Sequence, residues 1–274
     1  MTPADDDYGF HFSFVGNRRF DVLEDSDSQS LLQKWGLGRE LRLKCFRYDG
    51  VFHRGLAPHL LGKLFGSKEV LDALNIPCPH PSLESPASVM FAELRCRETT
   101  LDYFDRLVDG HIVRPPPSSA RDGEDDEPLR VVSMMDVYLP GGVTVGDQLR
   151  GMFMLGEGSE FHDKYSADEK AEFLYHLMWR VCTGGVLNQW EDNFVVYKNF
   201  VRDLYRDIVC VARDAGTGEL TLLSHIYQIC AVDNLMLFPR DDESEPSNFN
   251  YCYVAVNPTR KEVVVMYHLF NSNF

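Results

Sequence analysis

The 274-residue sequence contains no apolar run near the roughly 18 to 20 residues needed to span a bilayer. Its longest candidate, Val263-Val-Val-Met-Tyr267, is the size of a strand. Positive charge is scarce: 27 Lys and Arg face 42 Asp and Glu, a formal net charge of -15. Neutralising phosphates takes clustered Lys and Arg, so nucleic acid is not an expected partner, and an anionic membrane surface is disfavoured for the same reason. The seven cysteines, at 45, 78, 96, 182, 210, 230 and 252, are odd in number, widely spaced and without a Cys-x-x-Cys. No glycosylation acceptor survives inspection, since Asn257-Pro-Thr is blocked by its proline. These features favour free thiols in a reducing compartment, so a cytoplasmic protein is expected. Met1-Thr-Pro-Ala-Asp-Asp-Asp7 lacks the apolar stretch of a secretory signal. Thr2 excludes N-myristoylation, and the terminal Asn-Ser-Asn-Phe is not a prenylation box.

Motifs that carry chemistry are missing too. Gly36-Leu-Gly38 has no third glycine and follows a helical pattern, where a dinucleotide loop follows a strand. Gly141-Gly-Val-Thr-Val-Gly146 continues into Asp147 rather than Lys-Ser/Thr, the wrong charge to meet a phosphate. Cys78-Pro-His80 offers two metal ligands where structural zinc needs four, and reads more simply as a loop thiol beside a surface histidine. His176 lies in a helical stretch and His268 in a strand, and neither belongs to a His-Glu-x-x-His. There is no Gly-x-Ser-x-Gly elbow. Glu191-Asp192 sits at a helix start, where the macrodipole accounts for it. A Cys–His hydrolase stays open as a rival, with Cys78 as its most exposed thiol. No catalytic, cofactor-binding or metal-binding residue is assigned, and no cofactor is expected. The partner-binding residues are not identified by these patterns.

What is present is an ordinary globular composition, 44% hydrophobic and 25% charged, with enough apolar surface to offset chain entropy. Period-2 alternation predicts strands around residues 8–14, 41–45, 89–96 and 129–138. Helical spacing predicts helices after Asp25, over 57–65 and 68–74, from Thr100, and after Thr144 as an N-cap. Ser166-Ala-Asp-Glu169 has the form of a capping box. Behind it Phe173, Leu174, Leu177, Met178, Val181 and Cys182 recur at helical spacing until Gly184-Gly185. A second apolar seam runs through Trp190, Phe194, Tyr197, Val201, Leu204 and Ile208. The remainder reads as antiparallel strands over 209–213, 219–232, 249–256 and 261–270, with a turn at Asn257-Pro-Thr-Arg260. Residues 114–128 are rich in proline and acid, and 241–246 form a second acidic loop. Together these two loops hold much of the acidity, which shifts the expected partner site toward apolar and aromatic surface. The expected fold is α+β: a mixed N-terminal half over 8–113, a linker over 114–128, and a C-terminal half over 129–274. In the last, a helical hairpin packs on an antiparallel sheet, and the two halves form either one domain or two.

Several segments together resemble one family. The 21 residues from Glu172 to Asp192 carry a helix, a glycine pair and a Gln-aromatic-Glu-Asp run. Leu204-Tyr-Arg-Asp-Ile-Val-Cys-Val211, Phe249-Asn-Tyr-Cys-Tyr-Val-Ala-Val-Asn-Pro-Thr-Arg260 and Tyr267-His268 follow in order. The N-terminal half adds Leu32-Gln-Lys-Trp35, Lys44-Cys-Phe-Arg-Tyr-Asp49, Asn75-Ile-Pro-Cys78 and Asp109-Gly-His-Ile-Val113. No one of these is specific, but the ordered set, from Tyr8 to Phe270, resembles the cilia- and flagella-associated protein 300 family. Residues 115–128 and 240–247 depart from the pattern and inherit no role. The resemblance implies a non-catalytic cytoplasmic adaptor, found also at the cilium or flagellum, that is needed to assemble inner and outer axonemal dynein arms. The partners it implies are axonemal dynein chains, assembly factors of the PIH-domain, Hsp90 co-chaperone class, and the intraflagellar transport machinery. A structural axonemal subunit is the second rival.

Overall fold

The computed structural model describes residues 9–38, 40–76, 87–116, 128–213, 216, 218, 220–233, 235 and 249–269. Cys78, His80, the greater part of the 114–128 segment and the 241–246 loop lie outside the described residues. In chain order the elements begin with β1 (Phe12–Phe14), α1 (Asp21–Glu24), α2 (Ser26–Lys34), β2 (Leu41–Tyr48), α3 (Ala57–Gly66), α4 (Lys68–Leu74) and β3 (Val89–Leu94). Next are β4 (Val113–Arg114), β5 (Arg130–Val131), β6 (Ser133–Leu139), β7 (Val143–Asp147), α5 (Gln148–Met154), α6 (Ala167–Lys170), α7 (Phe173–Thr183) and α8 (Phe194–Ile208). The chain closes with β8 (Val211–Arg213), β9 (Leu220–Leu222), β10 (His225–Val232), β11 (Tyr251–Asn257) and β12 (Glu262–His268). This is an α+β architecture, as the patterns predicted.

The chain divides into two compact units, and both draw on both sides of the 114–128 segment. The first comprises residues 1–19, 40–94 and 208–274. Its sheet has six strands in the order β1-β2-β12-β11-β10-β3, every neighbour antiparallel. The β11–β12 hairpin turns where expected and by the expected means: Asn257 Oδ1 accepts from the N–H groups of Thr259 and Arg260, both at 3.0 Å. These two strands sit in the middle of the sheet and are buried on both faces, which is why Val263-Val-Val-Met-Tyr267 reads as a continuous apolar run. Strand β2 lies next to β12, with Arg42 opposite Tyr267 and Phe46 opposite Val263.

Helices α3 and α4 cover one face of that sheet. Leu60, Leu61, Leu64 and Phe65 of α3 and Val70, Leu71 and Leu74 of α4 join Phe46, Tyr48, Val254, Val256, Val263 and Val265 in one buried cluster. Each such side chain contributes roughly 1.5–3 kcal/mol by leaving water. Asn75 ends α4 in the left-handed region (φ 50°), its N–H bonded to Leu71 O at 3.0 Å. Tyr267 Oη donates to the Leu74 carbonyl at 2.5 Å, tying the end of that helix to the sheet.

The second unit comprises residues 20–39 and 95–207. Asp25 caps α2 as expected, accepting from Ser28 N–H at 2.9 Å. Trp35, fully buried, stacks on Tyr197 at 5.0 Å and meets Phe200 edge-on at 5.0 Å, joining α2 to α8. The Phe173–Tyr205 contact, 6.1 Å between ring centres, brings the start of α7 beside the end of α8, as in an antiparallel pair. The glycine pair that stops α7 also lets the chain cross the α2 terminus. Gly184 has φ +61°, and a Cβ there would lie 2.5 Å from the Trp35 carbonyl. A Cβ on Gly185 would press on the Gly36 carbonyl.

Four local expectations need correcting. The capping box at Ser166 is present, but the helix behind it stops after Lys170 and restarts at Phe173. Main-chain bonds to Arg95 interrupt it, Arg95 N–H to Ala171 O at 2.9 Å and Phe173 N–H to Arg95 O at 2.8 Å. The next helix begins at Phe194 rather than Trp190, because residues 192–194 pair with 129–131 through Val131 N–H to Asp192 O and Phe194 N–H to Leu129 O. Thr144 is no N-cap. It lies in β7, and Asp147 caps α5 through Arg150 N–H at 2.8 Å. The segment after Thr100 winds as a 3-10 helix over Leu101–Leu107.

Candidate functional site

Among the thiols, the surroundings of Cys45, Cys96, Cys182, Cys230 and Cys252 work against reactivity. Cys45, Cys182 and Cys252 are buried. Burial pushes the Cys45 and Cys96 thiols up to about 11 and raises Cys182, Cys230 and Cys252 as well. An activated nucleophile needs the opposite shift, a depressed pKa beside a cation. Cys96 Sγ instead lies 3.2 Å from Tyr205 Oη. Cys78 lies outside the described residues.

The histidines singled out from sequence are packed into the protein. His176 is buried beside Tyr175 and Trp179, and burial, reinforced by the Arg180 charge, lowers its pKa to about 3. It is therefore a neutral ring at any ordinary pH. His268 is fully buried, stacked on Tyr251 at 5.3 Å with Nδ1 against the Phe249 carbonyl. Among the described residues no three His, Cys, Asp or Glu side chains are grouped to hold a metal ion. No described helix is long and apolar enough to cross a membrane. Glu191 bonds Lys34 at 2.6 Å and Asp192 bonds Arg130 at 3.1 Å, so both acids act as structural partners.

Two features of the structure carry no sequence motif. The first is the buried polar turn at the head of α5. Asp147 is 1% exposed, and burial lifts its carboxyl to about 6 against the pull of Arg150. Arg150, also buried, donates from Nη1 to the Thr144 carbonyl at 2.9 Å. Val143 and Val145 alternating into an acid was the available signal, that of a strand running into an N-cap.

The second is an open cleft of about 430 Å³ in the first unit, beside β1. Phe10, His11 and Phe12 form its strand side, and Lys63, Ser67 and Glu69 its helical side. Glu69 Oε1 accepts the Phe14 N–H at 3.0 Å across the gap. Nothing in local periodicity marks this cleft, since its walls are about 50 residues apart in the chain. Exposed apolar side chains lie elsewhere on the surface, among them Met135 (88%) and Tyr138 (76%) on β6 and Met90 (64%) on β3.

Comparison with known proteins accounts for nearly the whole length. The family model for cilia- and flagella-associated protein 300 matches residues 9–268. A protein of that name from Chlamydomonas reinhardtii is 30% identical over 259 residues, covering 91% of this chain and 93% of the relative. Another from Paramecium tetraurelia is 26% identical over 245 residues, covering 89% and 88%. No solved structure matches. The matched span takes in elements of both units, from β1 through β12, and the chain belongs to the cilia- and flagella-associated protein 300 family.

Proposed function

We propose that the protein is a non-catalytic cytoplasmic adaptor for assembling and delivering inner and outer axonemal dynein arms. It works by binding dynein chains or their PIH-domain, Hsp90 co-chaperone assembly factors, with intraflagellar transport as its carrier into the cilium. The observation that carries this reading is the family match over residues 9–268, whose relatives are named for cilia and flagella. Three further features support it. Burial keeps the Cys45, Cys96, Cys182, Cys230 and Cys252 thiols protonated. The exposed Met135, Tyr138 and Met90 supply apolar contact area of the kind partner surfaces use. The net charge of -15 favours basic partner surfaces and faster encounter with them.

Affinity capture of the tagged full chain from cells building motile cilia tests the proposal. Dynein-arm chains or PIH-domain factors are expected in the captured material, and recovery of neither would sink it. Salt extraction of axonemes tests the rival reading: an assembly factor partitions mainly into soluble cytoplasm, whereas retention on the doublets after high salt would mark a resident axonemal subunit.

A further inference from the structure

Strand β1 lies at an edge of the six-stranded sheet, and its bonding to β2 shows which way its backbone points. Val15 N–H donates to Cys45 O at 2.9 Å, and Asp49 N–H donates to His11 O at 3.3 Å. In an antiparallel pair the bonded residues alternate, so the odd-numbered residues face β2 and the even-numbered ones face away. Phe10, Phe12 and Phe14 therefore turn their N–H and C=O groups outward, along the cleft. The Phe14 N–H is taken by Glu69 Oε1, a side chain standing in for a missing strand. The outward groups of Phe10 and Phe12 make no hydrogen bond among the described residues, although both side chains are buried in the core. An unpaired edge of this kind is a template for another chain, and proteins normally blunt it.

The opposite wall supplies the second observation. Lys63 lines the cleft from α3 and makes no ion pair among the described residues, while the Glu69 carboxylate is engaged by Phe14. The cleft thus offers alternating backbone donors and acceptors on one side and, on the other, a lysine without an ion pair among the described residues together with a carboxylate already hydrogen-bonded to β1.

We infer that this cleft takes an extended segment of a partner protein, which adds to the sheet as a further strand beside β1 and sets an acidic side chain against Lys63. Only another extended backbone satisfies the outward N–H and C=O of Phe10 and Phe12 together, their like groups recurring every second residue, about 7 Å apart. The acidic residue supplies the specificity that backbone pairing lacks. The inference rests on the reading of the protein as a binding module and states how one partner is held.

The probe is a synthetic acetylated and amidated hexapeptide, Thr-Val-Glu-Val-Thr-Val, added at millimolar concentration to the full chain. One control peptide carries Lys in place of Glu, and the other is N-methylated at alternate residues. Amide hydrogen exchange at Phe10 and Phe12 is expected to slow by about tenfold on binding. The Lys peptide is expected to bind about fivefold more weakly. The N-methylated peptide, deprived of strand donors, is expected not to bind. In Lys63→Glu the preference between the Glu and Lys peptides reverses, with exchange at Ser13 and Val15 unchanged as proof that β1 is still paired. Unaltered exchange at Phe10 and Phe12 overturns the inference, and so does equal binding of the N-methylated peptide. A free-chain dimer dissolved by Lys63→Glu overturns it in favour of a second copy. Phe10 and Phe12 amides protected in the free chain and released by deleting residues 1–8 overturn it in favour of the chain's own N-terminal segment. The probe contains no dynein or co-chaperone sequence, so its failure leaves the capture experiment untouched.

Discussion

At the scale of single residues, Asp147 is a buried acid of the second unit, 1% exposed. Its Oδ1 caps α5, and its burial lifts the carboxyl from about 3.8 to about 6. Raising an acid's folded pKa favours the folded state while both states are protonated. That advantage fades as pH climbs from the unfolded value toward the folded one, because the unfolded chain gives up its proton first. Between about pH 4 and pH 6 the wild type should lose on the order of 3 kcal/mol relative to Asp147→Asn, whose amide oxygen keeps the cap without the charge. Denaturant titrations of both proteins across that range check this, and parallel curves would remove Asp147 as the cause. Asp147 follows an alternating Val143-Thr-Val145, a readable pattern, but the depth of burial that shifts its pKa depends on packing that no local pattern reports.

At the scale of elements, a side-chain cap is legible where the capping residue and its partner sit at a fixed short spacing, although Thr144 shares that pattern and lies in β7. Asp25 caps α2, Gly184 ends α7, and Ser166 with Glu169 forms the capping box, all legible because capping needs particular side chains at fixed short spacings. The box holds only a four-residue α6. Ser166→Ala should cost about 1 kcal/mol and loosen this turn, with the Glu169–Arg106 pair at 2.7 Å holding part of it. A shift in chemical denaturation midpoint measures the loss, and an unchanged midpoint would show that the box is redundant with that pair. The apolar seam from Phe173 to Cys182 and the one from Phe194 to Ile208 form the predicted helices because their spacing presents one face for burial. Trp190 shares the second spacing and still lies outside the helix, since residues 192–194 pair with 129–131. A period of 3.6 tells which residues can share a face, and a competing main-chain partner decides where the helix starts.

At the scale of the whole molecule, the order of strands in the sheet matters most. β1, β2 and β3 come from the first hundred residues and occupy positions on either side of β10, β11 and β12, which come from the last fifty. A chain cut within residues 117–127 therefore leaves each piece with part of a sheet. The fragment 1–116 expressed alone is expected to show no cooperative unfolding, because β2 and β3 lack the strands that lie between them. Co-expressed with 128–274, it is expected to recover a cooperative transition in circular dichroism. A fragment 1–116 that unfolds cooperatively by itself would overturn this account. By itself the sequence determined the composition class, the strands and helices with a clean period, the caps, the Asn257 turn and, through an ordered set of short segments, the family. Those are carried by residues near one another in the chain or by identity at aligned positions. Only the tertiary structure decided that β2 pairs with β12 rather than with a sequential neighbour on that side, that Asp147 is sealed from water, and that Lys63 lines the same cleft as Phe10 and Phe12. The physical reason is that a hydrophobic pattern records how much surface a residue must bury. Which distant segment buries it is set by packing and by the loop-closure entropy of bringing the two together.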